Sequence, residues 1–509
     1  MQPLSRRRFL QASAIGGAVA LLPGLAGCSD GEADPGSTSS TTTTQPPVLD
    51  EQAFAHGVAA GDPWTDSVVL WTRFDPGAGD EATLRWQVAT DESFDEVVAE
   101  GEASTSAERD WTAKVIAEGL APGTSHRYRF LVDHPDGPIS SPVGQVRTAP
   151  EAAVDELRFG VVSCSNYGYG RFHAYRHLLE RDVDAVIHLG DYIYEYANAG
   201  EGETYGTVRQ LEPGHEILTL EDYRTRYAQY RSDPDLQELH RRHAMIHVWD
   251  DHEFADDPFI GGASNHDPAI HGDWEDRKAA ALQAYTEWMP TRLDGNRIYR
   301  ALEYGPLATI LGLDRQRRFL WPEEADGEHY LGAAQTAWLH DQLLGAEATW
   351  TVFAQQTTFA PVSIEETGGG WRAEDRAAVL EALADRPSDL VVLTGDIHRF
   401  HAIDVVTDPV AYDPEASDSG GTAGVEFACG SVTSPGSDWL GSGTQVRWND
   451  GDARGYSVLT LTPDAATCDF WGIDNSSLTA DELPEERWLA GWQTTKGANR
   501  LSETSEPQA

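Results

Sequence analysis

Four short apolar runs, FGVVSC at 159–164, AVIHLG at 185–190, MIHVWD at 245–250 and LVVLTG at 390–395, each give way at once to an acid, a histidine or a cysteine. Runs of this length and composition predict strands rather than helices. A strand that stays apolar to its end and then shows a carboxylate or imidazole places oxygen and nitrogen donors at the carboxyl edge of a sheet. Open α/β folds keep their sites there. One such end reads equally well as a turn or a helix cap. Three of them, LGDYIYE at 189–195, WDDHE at 249–253 and TGDIH at 394–398, facing one crevice, predict a metal cluster drawing on Asp191, Asp251, Asp396 and His398.

Between the runs, RFHAYRHLLERD at 171–182, LTLEDYRTRYAQY at 218–230, TAWLHDQLLGA at 336–346 and EDRAAVLEALA at 374–384 repeat apolar residues at three- and four-residue steps. That is the period of helices lying on a sheet, so the expectation is an α/β sandwich with flanking helices. Residues 51–149 read differently. VVLWTRF, LRWQVAT, WTAKVIAEGL and HRYRFLVD alternate β-branched and aromatic residues, and GLAPGTSHRYRF at 119–130 resembles the corner of a fibronectin type III sandwich. Tyr128 is expected to pack or hydrogen-bond at that corner, and nothing in these strands looks catalytic.

The start of the chain is an address rather than a fold. Ser5 to Leu10, SRRRFL, followed by the apolar stretch Ala14 to Leu22, has the pattern of a twin-arginine export signal, and the apolar part is too short to span a bilayer. Leu25-Ala26-Gly27-Cys28 matches the bacterial lipobox, so residues 1–27 are expected to be removed. Cys28 would then carry lipid and hold the protein at the outer face of the cell membrane, unless it is secreted. Residues 28–50, rich in Ser, Thr and Pro, read as a flexible linker.

With 83 acidic residues against 37 lysines and arginines, the formal net charge is −46, and Lys114, Lys278 and Lys496 are the only lysines. Such a field excludes general electrostatic docking on nucleic acid. It also repels phosphate substrates, so local cations must overcome it at any phosphate site. A monomer is expected.

The site motifs, with VVSCSN at 161–166, HGVAAGDPWTDSVVLWTRFDP at 56–76, LGAAQTAWLHDQLL at 331–344, GWRAEDRAAVLEAL from 370 and VEFACGSVTSP at 425–435, resemble the PhoD-type alkaline phosphatases over most of 54–475. These belong to the metallophosphoesterase superfamily and hydrolyse phosphodiesters and phosphomonoesters. The resemblance implies a metallophosphoesterase-like α/β sandwich over 150–475, preceded by a small all-β fibronectin- or immunoglobulin-like domain over 51–149 and followed by a tail, 476–509. It implies Fe3+ and Ca2+, with Asp191 as the bridging carboxylate and Cys164 and Tyr194 as anionic ligands of iron. Asp396, His398 and Asp251 complete the metal shell, and His252 hydrogen-bonds the substrate or leaving-group oxygen. Fe(III) favours anionic ligands and calcium takes oxygen, which suits this division. Arg315, in LDRQRRF at 313–319, matches the family's phosphate-binding arginine, although Leu313 and Asp314 replace the usual Asp-Thr pair and leave the role of Asp314 open. Asp257 stands as a further calcium-ligand candidate.

The implied reaction is attack of a metal-activated water on phosphorus, in line and without a phosphoenzyme. Two other readings are a phospholipase D-like phosphodiesterase acting on lipid head groups and a surface-tethered metal-binding module without turnover. Cys429 and Cys468 read equally as a disulfide or as two small buried hydrophobes. His243, His247 and His401 read as core or supporting groups, and 476–509 as a lid or a packed tail.

Overall fold

The computed structural model describes residues 46–508 apart from 136, 199–207, 326, 362–369, 385, 417–419 and 438–442. The expected export signal, the lipobox cysteine and most of the linker lie outside the described residues. No helix among the described residues is long and apolar enough to cross a membrane.

The four apolar runs are the strands Leu157–Val162, Ala185–His188, Met245–His247 and Asp389–Thr394. The first three lie side by side and parallel in a ten-stranded sheet. The fourth belongs to a seven-stranded sheet, where Ala308–Gly312, Trp350–Gln355, Asp389–Thr394 and Thr422–Ala428 run parallel. Parallel strands covered on both faces need apolar residues at every position, which is why the runs are continuous rather than alternating.

Successive side chains take opposite faces. Phe159, Val161 and Ile187 meet Val352, Val391 and Leu393 in the core between the two sheets. Val162, Val186 and Met245 face the other way, onto Tyr227 of the helix Leu220–Arg231 and Trp288 of the helix Trp274–Trp288. Leu390 and Val392 pack on Leu339, Leu343, Val379 and Leu380 of the helices Ala333–Leu344 and Ala373–Leu383. The layers run helix, sheet, sheet, helix, as the periodicities anticipated. Thr219 and Asp222 close a capping box at the start of Leu220–Arg231, satisfying backbone N–H groups that the first turn leaves free.

The N-terminal β region is a sandwich whose two layers differ in ownership. One is a six-stranded sheet containing Glu81–Ala89, Val97–Ser106 and Ser125–Val132. The other consists of Val58–Gly61, Ser67–Arg73 and Thr112–Glu118, which are the end of the ten-stranded sheet, joined to it where Gly61 pairs with Met245. Residues 51–149 are therefore set apart in sequence but share a sheet with the rest. Leu84, Val88, Tyr128 and Phe130 fill the core between its layers. Of the two roles open to Tyr128, the structure has packing: it is fully buried, Gly144 lies flat against its ring where a Cβ would come within 2.2 Å of Cζ, and its hydroxyl has no partner among the described residues.

The tail is part of the sheet. Arg487–Thr495 pairs with Ala465–Asp474, and Ser502–Glu503 adds a last short strand. The carbonyls of Ala480 and Pro484 lie against His173 and His177, so the segment is engaged in pairing and packing rather than held as a lid. Cys429 and Cys468 are free, buried thiols in the inter-sheet core, which decides against the disulfide. His247 and His401 are fully buried in strands, and His243 ends the helix Pro234–Arg242.

Candidate metal centre and active site

The carboxyl ends of the parallel strands in both sheets converge. Cys164, Asp191 and His398 offer ligand atoms within 4.8 Å of one another, as do Asp191, Asp251 and His252, and again Asp250, Asp251 and Asp396. Asp191 belongs to two of these groups and Asp251 to two, so they form a connected row. Tyr194 Oη donates to Asp191 Oδ2 at 3.0 Å and lies 3.2 Å from His398 Nε2. Arg315 brings Nη1 to 3.3 Å from Asp396 Oδ2 and Nε to 3.8 Å from Asp250 Oδ1. All eight residues singled out in the sequence, Cys164, Asp191, Tyr194, Asp251, His252, Arg315, Asp396 and His398, thus share one crevice. Asp257 enters through its backbone, its N–H donating to Asp251 Oδ2 at 2.9 Å, while its carboxylate is in none of the three groups. Asp314 is fully buried and accepts from the Trp249 indole at 2.8 Å, a structural role.

The crevice is held in a strained state. Cys164, Asp191, Asp396 and His398 have φ of 57°, 56°, 63° and 53°, the left-handed region that non-glycine residues avoid at a cost of about 1–3 kcal/mol each. Gly190, at φ 102°, makes the turn before Asp191 possible, because a Cβ there would stand 2.6 Å from that of Asp250. Buried Glu253 accepts N–H bonds from Asp191, Tyr192 and Asp250 at 3.1, 2.5 and 2.8 Å and so pins two of the strand ends together. Cys164 N–H donates to the Gly190 carbonyl at 3.1 Å and Ser165 N–H to that of Asp191 at 3.0 Å, fixing the third. Ser434 Oγ lies 2.7 Å from Tyr194 Oη and 2.9 Å from the Cys164 carbonyl, with one proton to share between them.

Burial pushes the Asp191 carboxyl well above the usual range, and Asp251, Glu253 and Asp396 add to this against the opposing pull of His252. Burial likewise raises Asp250, Asp396, Cys164 and Tyr194, and lowers His398 to about 4 with help from His252. Asp191 Oδ1 and Asp250 Oδ2 are buried with no hydrogen-bond partner among the described residues. Acids that resist ionising beside one another, with orphaned oxygens among them, are the donor set that bound cations stabilise. The residues fit metal binding.

His252 is different. Burial opposes its charge, but Asp251, Glu195 and Asp191 outweigh that and hold its pKa well above the usual value. Its Nδ1 lies 2.8 Å from Glu195 Oε2, and its Nε2 is 3.9 Å from Asp251 Oδ2. Glu195 in turn accepts from Asp256 N–H and from the Asn265 amide. The pair fixes Nδ1–H on Glu195 and leaves Nε2 toward the ligand row.

Sequence reasoning missed Asp250, Glu195, Glu253 and Ser434. All four stand inside quoted motifs, Asp250 and Glu253 in WDDHE, Glu195 at the end of LGDYIYE and Ser434 in VEFACGSVTSP. Adjacent acids past a strand end carry no period, so nothing there says which one turns inward.

Residues 159–470 match the family model of PhoD-like phosphatase, and residues 39–150 that of the PhoD-like phosphatase N-terminal domain. The chain is 32% identical to alkaline phosphatase D of Bacillus subtilis (strain 168), over 91% of this chain and 84% of that protein. A solved structure of PhoD superposes with a TM-score of 0.77 at 30% identity, covering 91% of this chain and 94% of that one. A purple acid phosphatase from yellow lupin (Lupinus luteus) seeds superposes at a TM-score of 0.59 and 10% identity, over 86% and 73% of the two chains, a likeness of fold alone.

Proposed function

The chain belongs to the PhoD-like phosphatase family and is a hydrolase of phosphoric esters, and from that premise we propose an exported, metal-dependent enzyme acting on phosphodiesters as well as phosphomonoesters. The observation that carries this reading is the row of three ligand groups sharing Asp191 and Asp251, with Arg315 at its edge. In our assignment Cys164, Tyr194, Asp191 and His398 hold Fe3+, since thiolate, phenolate and carboxylate suit a strong Lewis acid. Asp250, Asp251 and Asp396 hold Ca2+ through oxygen alone.

Bound cations supply Lewis acidity toward phosphoryl oxygens and the charge that lets a water lose its proton near neutral pH. The residues do the rest. Arg315 offers its planar fork to two phosphate oxygens and orients the ester for in-line attack. His252, whose Nδ1–H is held by the Glu195 carboxylate, gives an Nε2 proton to the departing alkoxide, and that hydrogen bond keeps the ring aimed. No covalent phosphoenzyme is needed. The SRRRFL segment and Leu25–Cys28 support export and a lipid anchor at Cys28.

The test is hydrolysis of bis(p-nitrophenyl) phosphate and p-nitrophenyl phosphate by the purified protein, with calcium and after chelation. Turnover of both that is lost on chelation and returns with metal is the expected result. Turnover of the monoester alone removes the diesterase part, and turnover indifferent to chelation removes the metal.

A further inference from the structure

Beside His252 stands an aromatic side chain, Tyr196, that the phosphoryl chemistry does not use. The Tyr196 ring lies edge-on to the His252 ring with centroids 5.2 Å apart. Its hydroxyl donates to Asp256 Oδ1 at 3.2 Å, and the Asp256 N–H donates to Glu195 Oε1 at 2.8 Å, so this aromatic is fixed to the same carboxylate that orients His252. From Asp256 the chain passes Asp257, tied to Asp251 Oδ2, and enters a turn closed by Phe259 N–H to the Gly262 carbonyl at 2.9 Å and the reverse bond at 3.0 Å. Phe259 and Ile260, on this turn, are 53% and 54% exposed.

Single exposed apolar residues are ordinary on any surface. These two are successive, sit on a turn pinned by paired hydrogen bonds, and belong to a chain of net charge −46. Two or three residues beyond Asp257 reach no more than about 10 Å, so the turn stands within reach of an ester held at Asp251. Arg315 and the ligand row address the phosphoryl oxygens, and His252 addresses the leaving oxygen. What adjoins His252 is then the organic group on that oxygen.

Resting on the phosphatase reading above, we infer that the favoured ester has an apolar or aromatic alcohol, which seats against Tyr196, Phe259 and Ile260 as it leaves. Charge then serves the phosphoryl side of the site, and apolar contact the side where the alcohol departs.

The n-alkyl phosphates from ethyl to octyl isolate this contact, because the basicity of the leaving alcohol is nearly constant along the series. With the metal-loaded full-length protein, kcat/KM is expected to rise by roughly 10-fold or more from ethyl to octyl. The octyl-to-ethyl ratio should fall toward one in Phe259→Ser and in Ile260→Ser taken singly, a ratio internal to each variant and so independent of how much of it folds. A flat series in the natural protein overturns the inference while leaving the phosphatase reading intact. A rising series with ratios unmoved in both variants overturns the assignment to these residues. Hydrolysis of none of the esters, ethyl phosphate included, removes the premise and the inference with it.

Discussion

The N-terminal sandwich and the metal crevice bury side chains to opposite effect. Between the layers of the sandwich the buried groups are Leu84, Val88, Tyr128 and Phe130, apolar surface removed from water at a gain of roughly 25 cal/mol per Å². In the crevice they are Asp191, Asp250, Cys164 and Tyr194, each raised in pKa by burial and two of them, Cys164 and Asp191, held in left-handed backbone. One region gains stability from what it buries. The other loses it, and stays folded because the sheets on either side, packed through Phe159, Val161, Val352 and Val391, overdetermine where the strand ends lie. The candidate site lies where burial works against the groups buried, and a cation is the ligand such an arrangement is poised to take.

Substitutions should therefore separate the two regions. Asp191→Asn, which removes the carboxylate shared by two ligand groups, is expected to lower hydrolysis by at least roughly a thousandfold. The metal-free variant should unfold no earlier in denaturant than the metal-free natural protein, since a buried carboxyl that burial and its acidic neighbours disfavour ionising has gone. Phe130→Ala reverses the pattern: about 3–5 kcal/mol of stability lost from a fully buried site, read as a lower denaturation midpoint, with kcat/KM of the folded fraction within about twofold of the natural protein.

Glu195→Gln probes the boundary between positioning and chemistry. A fall in kcat of roughly 10² is expected, larger than any change in KM. The pH profile gives the sharper readout. Loss of the Glu195 charge lowers the His252 pKa, so the protonated ring is lost at lower pH and the alkaline fall in kcat moves downward. A profile unmoved from the natural protein would make Glu195 merely structural. The smallest effect belongs to Tyr128→Phe. Because that hydroxyl is buried without a partner among the described residues, its removal should leave stability unchanged or raise it by up to about 1 kcal/mol, read from the denaturation midpoint, whereas a clear loss would reveal a bond to it.

Much of this was legible in the sequence, for a physical reason. A residue just past an apolar strand can lie only at the sheet edge, so LGDYIYE, WDDHE and TGDIH located the crevice before any coordinates. Four helices followed from their periodicity, while Pro234–Arg242 and Trp274–Trp288 were not read from the sequence. What escaped notice was set by pairing at a distance. That Gly61 joins Met245, making the sandwich's second layer the end of the main sheet, is written in neither local pattern. The strand Arg487–Thr495 hid its alternation behind a register shift opposite Phe470 and Trp471 and so read as a tail. Asp250, Glu253 and Glu195 were inside the motifs, but their direction depends on turns that Gly190 and the Glu253 hydrogen bonds create.

If the crevice is held for cations, metal content, stability and hydrolysis must change together. The decisive comparison takes the protein as purified and after exhaustive chelation, with bound metals determined by mass spectrometry, thermal unfolding recorded, and phosphate-ester hydrolysis assayed on the same samples. The expected result is iron and calcium in the purified protein, with chelation lowering the unfolding temperature and abolishing hydrolysis, and both restored on metal return. A metal-free protein that unfolds at the same temperature and hydrolyses at the same rate would contradict it.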